Sequence, residues 1–399
     1  EVRAVTLDQG LDALGVGACH AAGLAPHWAE SGASRPDPLP CADAEFARWA
    51  REFAGLTPAL DEPLARVTAA IAADEALRTL YWHQCRLLYD LTDHPTGDMG
   101  GWPTLEARLG DDEGVYYLLL ALAVLPRMLE RHRERGIAET VSRACCTHFT
   151  ESVRLFGLTR GGRLGVAPRV LFWLRNHLAG RLIMLGRFEY MVRPFNDRVR
   201  VFRRREDGAV VALYRAEQLF NPQGYLDAGA TSGWLSVYEE SDAAWRGTPV
   251  HPAGHALPEP VELGKREWEL VLAPGDPILE VHIPAGGRMT LDRALDSMRA
   301  APAFFSRHFP DQPYRGFATA SWILDPEIPV WYGPETNMAQ WERELYLFPW
   351  PSGGRDGLYF VFGEAPIDPP NLPRDNSLRR AILERIESGG GIRAGGMFC

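Results

Sequence analysis

At 399 residues, with 46% hydrophobic and 24% charged side chains, the chain is long for a single core and ordinary for a folded globular protein, so two domains are expected. A formal net charge of −10 offers no phosphate-neutralising surface, which argues against nucleic acid as a partner. The six cysteines, at 19, 41, 85, 145, 146 and 399, include no CxxC pair, so neither a metal nor a disulfide is expected.

Residues 1–45 read as short helical pieces around a proline-rich loop at 36–40. Helical periodicity then covers 42–53, 63–89 with interruptions, 114–135, 138–156 and 167–185. The longest apolar run, 115–125, is about half of the roughly 20 residues that a membrane span needs, so it is expected to be a core helix. With no signal peptide visible, a cytoplasmic protein is expected. Trp173, His177 and Arg181 share one helical stripe, which suits a domain interface.

From about residue 187 the pattern turns to period two. Segments 198–205 and 209–215 flank Glu206-Asp207-Gly208, a hairpin signal. Segments 266–272 and 277–283, joined by Ala273-Pro274-Gly275-Asp276, read as a second hairpin. Between these hairpins, 234–238 is a short strand and the proline-rich stretch 241–264 a surface loop. Further on, 316–324 is a strand, 336–348 a helix, 357–362 a strand and 376–388 a late helix. The expected fold class is α+β: an all-α helical domain over 1–180, then a largely antiparallel sheet flanked by helices over 181–399.

The chemistry concentrates in 279–310, a buried strand, a glycine-bearing turn and a helix. Alternation puts Glu280 and His282 on one face of the strand, with Leu279, Val281 and Ile283 on the other. A carboxylate beside an imidazole is either a general base with its tuner or a half-buried pair bonded to itself. Gly286 and Gly287 let backbone N–H groups approach an anion at the helix N-terminus, and Arg288 adds charge. Ser321 lies with Phe317 and Thr319 on one face of the small-residue strand 316–324, Asn337 opens a helix as cap or ligand contact, and Tyr332 and Tyr346 are possible proton donors. His251 and His255 have metal-like spacing, but the intervening Pro252 and Gly254 forbid the aligning helix. There is no Gly-x-Ser-x-Gly elbow, Walker loop or Gly-x-Gly-x-x-Gly fingerprint.

Four motifs in order carry a resemblance: His282-Ile-Pro-Ala-Gly-Gly287, Phe304-Phe305-Ser-Arg-His308-Phe-Pro310, Ser321-Trp-Ile-Leu-Asp-Pro326 and Asn337. Together with segments 118–136 and 173–189, they resemble bacterial acyltransferase-domain proteins, which have a helical N-acyltransferase N-terminal domain and a GNAT-like C-terminal domain. The resemblance implies acyl-CoA or acetyl-CoA as co-substrate, no metal, and an amine-bearing small molecule or peptide as acceptor. It implies a base at Glu280 or His282 and a proton donor at Tyr332 or Tyr346. Gly286, Gly287, Arg288, Ser321, Trp322 and Asn337 would bind the co-substrate. In place of the superfamily's Gln/Arg-x-x-Gly-x-Gly/Ala turn stands Ile283-Pro-Ala-Gly-Gly-Arg288, and its usual tyrosine seven residues after Asn337 is Glu344. N-acylation is the leading expectation; a non-catalytic binding module and a thioester hydrolase on the same scaffold are the alternatives.

Overall fold

The computed structural model describes residues 5–363 and 369–399 and divides into two compact units, Glu1–Met184 and Leu185–Cys399. The first is helical. Helices Ala44–Phe53, Asp61–Ala73, Glu75–Cys85, Glu113–Leu122, Leu125–Glu134 and Thr147–Thr159 enclose one apolar core. Asp43 and Asp74 cap two of these helices through their side chains, each satisfying first-turn N–H groups that otherwise lack partners. The apolar run from Val115 to Leu125 is buried throughout, and a new helix starts at its last residue, Leu125, with Pro126 in the first turn. Among the described residues no helix is long and apolar enough to cross a membrane. Gly165, at φ +132, lies against the backbone of Gly114, where an added Cβ would stand 2.1 Å from a carbonyl carbon.

The expected helix over 167–185 is instead a 3₁₀ turn Pro168–Trp173, a short helix Leu174–Leu178 and an extended segment Ile183–Leu185. Gly180, at φ +60, ends the helical part. His177 is therefore not on an exposed polar stripe: it is buried within the helical unit, stacked on Phe149 and beside His148. Arg175 turns inward, and its guanidinium donates to the carbonyls of Leu87, Leu91, Thr92 and His94.

The second unit is α+β. Its main sheet carries β1 (Phe188–Pro194), β2 (Pro277–His282), β3 (Phe317–Ser321), β4 (Tyr346–Pro349) and β5 (Gly395–Phe398), in spatial order β1-β2-β3-β5-β4. Only β2 and β3 are parallel neighbours. The helix α1 (Leu291–His308) connects them and packs on one face, where Tyr190 meets Phe305, Phe317 and Ser297. The Ser297 hydroxyl is a buried hub that accepts from Phe188 N, contacts the Tyr190 hydroxyl at 2.8 Å and donates to the Leu185 carbonyl. A second, antiparallel five-stranded sheet orders His255–Ala256, Pro249–His251, Val210–Tyr214, Val199–Arg204 and Trp268–Leu272. Ile278, Ala318, Phe348 and Phe398 of the first sheet share an apolar cluster with Val201, Ala212, Tyr214 and Val250 of the second.

Several expectations are corrected here. Segments 266–272 and 277–283 do not form a hairpin, because each joins a different sheet. Phe195 bonds both Gly275 N and Asp276 O, so the turn is held where the chain changes sheets. The stretch 241–264 is no loop but carries four short strands. The helix expected over 336–348 ends early as α2 (Asn337–Glu342), with β4 following. Residues Leu358–Phe362 are helical rather than extended, entered through Gly357 at φ +78. The glycine-led strand β5 was missed altogether.

Candidate functional site

The parallel ladder between β2 and β3 has only two rungs, Leu279 to Phe317 and Glu280 to Ala318. Beyond them His282 and Ser321 end strands that no longer pair with each other, so the sheet is open at this end. Backbone there has given up ladder bonds and is free to meet a ligand. The turn after β2 brings Gly286 (φ +100) and Gly287 (φ +69) into a left-handed conformation that side-chain-bearing residues rarely adopt. The N–H groups of Gly286, Gly287 and Arg288 donate to no backbone carbonyl among the described residues. Thr290, the N-cap of the 18-residue helix α1, makes no side-chain cap bond. Orphaned donors at the positive end of a helix dipole are the physical make-up of an anion site.

Arginines reinforce it. Arg187 is buried, its Nη1 donates to Pro284 O at 2.8 Å, and its Nε has no partner among the described residues. Burial, and then the nearby Arg293, lower its proton affinity. Arg293 folds back onto the turn, with Nη1 donating to Arg288 O at 3.0 Å, and Arg288 itself is exposed. Two like charges facing one turn, one of them desolvated, are costly unless an anion joins them.

On the face of the sheet opposite α1 lie the acid–base groups. His282 Nε2 and Glu280 Oε2 are 3.0 Å apart, and Arg193 Nε stands 3.6 Å from the same oxygen. Burial pushes the Glu280 carboxyl up, but the hydrogen bond and charge of His282 and the charge of Arg193 outweigh it, leaving the group below the usual carboxylate range. The antiparallel register sets Glu189 of β1 directly across from His282, on the same face. Glu189 is 4% exposed, and its Oε1 has no hydrogen-bond partner among the described residues. Burial alone pushes this carboxyl up to about 7.

The remaining expected site residues are spread more widely. Ser321 Oγ accepts from Ile323 N and so caps the 3₁₀ turn Trp322–Leu324. Trp322 packs on the cluster of Leu358, Phe362, Ile382 and Leu383. Asn337 is the first residue of α2 rather than its cap, since Thr336 Oγ takes the Ala339 N–H. Tyr346 donates its hydroxyl to Val250 O and accepts from Ala212 N, which ties it between the two sheets. The hydroxyl of Tyr332 lies 3.0 Å from Ser377 Oγ. Near the end of β3, Glu342 is 4% exposed with neither carboxyl oxygen bonded among the described residues. Burial, and then the charge of Asp325, push it up to about 9. The rings of His251 and His255 stack at 4.7 Å, and among the described residues no group of three or more His, Cys, Asp or Glu is placed to hold a metal.

Comparison with known proteins bears on this arrangement. A sequence search of curated proteins finds no match. The profile of the GNAT-like C-terminal domain matches residues 182–398, and that of the N-acyltransferase N-terminal domain matches residues 46–180. The chain belongs to the GNAT-like C-terminal domain family. Solved structures similar to this family member include an acyltransferase in complex with decanoyl-CoA, at 20% identity and a TM-score of 0.64. Others are a mutant acyltransferase with octanoyl-CoA (20%, 0.67) and an acyltransferase with decanoyl-CoA and teicoplanin (21%, 0.65). Each alignment covers 98% of both chains, so the likeness of fold spans both units.

Glu189, Arg187, Arg293 and Glu342 are the residues that sequence reasoning missed. A signal was present for the first: a single carboxylate inside the apolar run Phe188–Val192 has to be buried if that run is a central strand. Nothing local distinguishes Arg187 or Arg293 from the chain's many other arginines.

Proposed function

We propose that the protein is an N-acyltransferase that takes an acyl group from acyl-CoA and delivers it to an amine. The observation that carries this reading is the open end of β2 and β3 beside an uncapped helix N-terminus with orphaned amides and a desolvated arginine. Family membership and the CoA-bound neighbours support it. The residues fit the group. The amides of Gly286, Gly287 and Arg288 and the opening turn of α1 would hold the pyrophosphate, with Arg187 and Arg293 neutralising it.

Acyl-CoA, when bound, supplies an electrophilic thioester carbonyl. The unpaired ends of β2 and β3 offer backbone N–H groups to that carbonyl oxygen. Ser321, Trp322 and Asn337, at and beyond the end of β3, are assigned to the walls of the thioester arm. The Glu280–His282 pair orients the acceptor amine and handles its proton, with Glu280 held charged by Arg193 as the fixed negative pole. Of the two tyrosines, Tyr332 is the better proton donor, because the hydroxyl of Tyr346 is already committed to Val250. The neighbours' decanoyl, octanoyl and teicoplanin ligands favour a medium-chain acyl group and an amine on a peptide or glycopeptide.

Isothermal titration with CoA and decanoyl-CoA tests the reading. Micromolar binding by the unmodified protein is expected, with loss in Gly287→Glu. That side chain would meet a strained φ, stand 3.2 Å from Arg293 Nη1 at its Cβ and place a negative charge in the cradle. No heat with either ligand in the unmodified protein sinks the proposal.

A further inference from the structure

The acyl-transfer reading assigns no residue of the helical unit, and a cavity within that unit has chemistry of its own. It measures about 680 Å³ and lies between the π-helical turn Arg86–Asp90, the helix Leu125–Glu134 and the short helix Leu174–Leu178 with the turn that follows it. That volume is in the range of small-molecule pockets. Four arginines line the cavity, Arg127, Arg131, Arg175 and Arg181, against one acid, Glu130. The excess of cations runs against the chain's net charge of −10. Two of the four are balanced by the protein itself: Arg127 pairs with Asp90 at 2.7 Å and Arg131 with Glu134 at 2.9 Å. The other two are not. Arg175 spends its Nη groups on the carbonyls of Leu87, Leu91, Thr92 and His94, which fix its position but carry no formal charge. Its Nε is buried without a hydrogen-bond partner among the described residues. Burial lowers its proton affinity, and the charge of the exposed Asp93 opposes that only in part. Arg181 is exposed and enters no ion pair among the described residues. Glu130 is exposed as well, and a solvated carboxylate is screened by water. Leu178 and the Tyr89 ring, which lies 5.8 Å from the Arg127 guanidinium, give the cavity an apolar part.

We propose that this cavity binds a small phosphate ester, its oxyanion between Arg175 and Arg181 and its organic part against Tyr89 and Leu178. The charge decides the class of ligand. Two guanidinium groups without a carboxylate match a phosphate monoester, which carries about −1.5 to −2 near neutral pH, whereas a lone carboxylate leaves one of them unbalanced. The two arginines contribute differently. Arg175, fixed by four carbonyls, supplies a preorganised charge, and Arg181 supplies a free planar fork of the kind that bonds phosphate oxygens in pairs. Arg127 and Arg131, a helical turn apart on one face, add field while their own acids keep them from repelling each other. The site shares no residue with the turn Gly286–Arg288 and does not depend on the acyl-transfer reading.

The test uses the full-length protein with phenyl phosphate as the probe, titrated by calorimetry. Arg181→Glu is the informative variant, because an exposed side chain without an ion pair is replaced without disturbing the fold; an unchanged denaturation midpoint checks this. The variant should weaken phenyl phosphate about ten- to a hundredfold, as loss of a charge-assisted bond does. Raising NaCl from about 0.1 to about 1 M should weaken it in the unmodified chain, since these charges are open to screening. Benzoate, with one charge, and inorganic phosphate, with no organic part, should each bind at least about tenfold more weakly than the ester. Gly287→Glu, which alters the other anion cradle, should leave phenyl phosphate within about twofold. No heat from millimolar phenyl phosphate, or an affinity that Arg181→Glu leaves unchanged, overturns the proposal. Benzoate or inorganic phosphate binding as tightly as the ester overturns the assigned ligand class. Binding that Gly287→Glu abolishes and CoA displaces also overturns it, because the phosphate then occupies the turn Gly286–Arg288. CoA binding by the unmodified chain is not required for any of these results.

Discussion

Replacing Glu342 by Gln isolates one buried acid. In the folded chain burial and Asp325 push it up to about 9, whereas in an unfolded chain a glutamate titrates near about 4.3. The folded value is the higher, so the folded state holds the extra proton. Stability is full below about pH 4.3, falls as pH rises, and levels off above about pH 9. Each pH unit between 5 and 8 costs about 1.4 kcal/mol, which is about 4 kcal/mol over the window. Glutamine keeps the shape and abolishes the titration, but it leaves amide hydrogens without partners at about 1–3 kcal/mol. The variant should therefore be the less stable protein at pH 5 and the more stable one at pH 8. Guanidinium unfolding followed by tryptophan fluorescence reports on this region, since Trp341 is fully buried 5.1 Å from the Phe188 ring. Stability curves for the two proteins that run parallel from pH 5 to 8 would refute the assignment of a buried, protonated Glu342.

Other outcomes follow from the same geometry. Ser297→Ala should cost about 3–5 kcal/mol, because Phe188 N, Tyr190 Oη and the Leu185 carbonyl all lose their shared partner; a loss under about 1 kcal/mol by denaturant titration contradicts the hub. Trp341→Ala opens a cavity at a residue with no exposed surface and should cost about 3–5 kcal/mol in the same assay. Arg187→Met removes a desolvated charge from the cradle and should weaken CoA about ten- to a hundredfold by calorimetry. Unchanged affinity would take Arg187 out of the anion site.

Period and turn chemistry made the strand, glycine turn and helix from 277 to 308 legible, because alternation and then a 3.6 repeat follow one another without interruption. The same rules failed where a choice between sheets was needed. Ala273-Pro274-Gly275-Asp276 is turn chemistry whether its flanking strands pair with each other or part company, and only the clamp on Phe195 decides. The aromatic segment Leu358–Phe362 has strand propensity, yet it forms a helix that packs on Ile382 and Leu383. Tyr346 looked available because the sequence does not show that a second sheet covers it. Glu280 and His282 were legible as a pair on one face. Glu189 was not, since its importance comes from a register linking residues almost a hundred positions apart.

Differences in surroundings explain why three glutamates of one domain cannot be interchangeable. Glu280 has a histidine and an arginine within reach, so its charge is supported at any pH where those groups are cations. Glu189, on the same face, has burial as the cause of its shift, and its proton is exchangeable near neutrality. Glu342 adds the repulsion of Asp325 to its burial and stays protonated well above neutrality. Neighbours, not residue type, separate these three states. Changing an environment should therefore change the titration of the group in it. Arg193→Leu removes one support of the Glu280 charge, so Glu280 should titrate at a higher pH while Glu189, which Arg193 does not contact, stays put. An infrared titration in which both carboxyls shift together would show that they behave as one coupled pair and not as two separate groups.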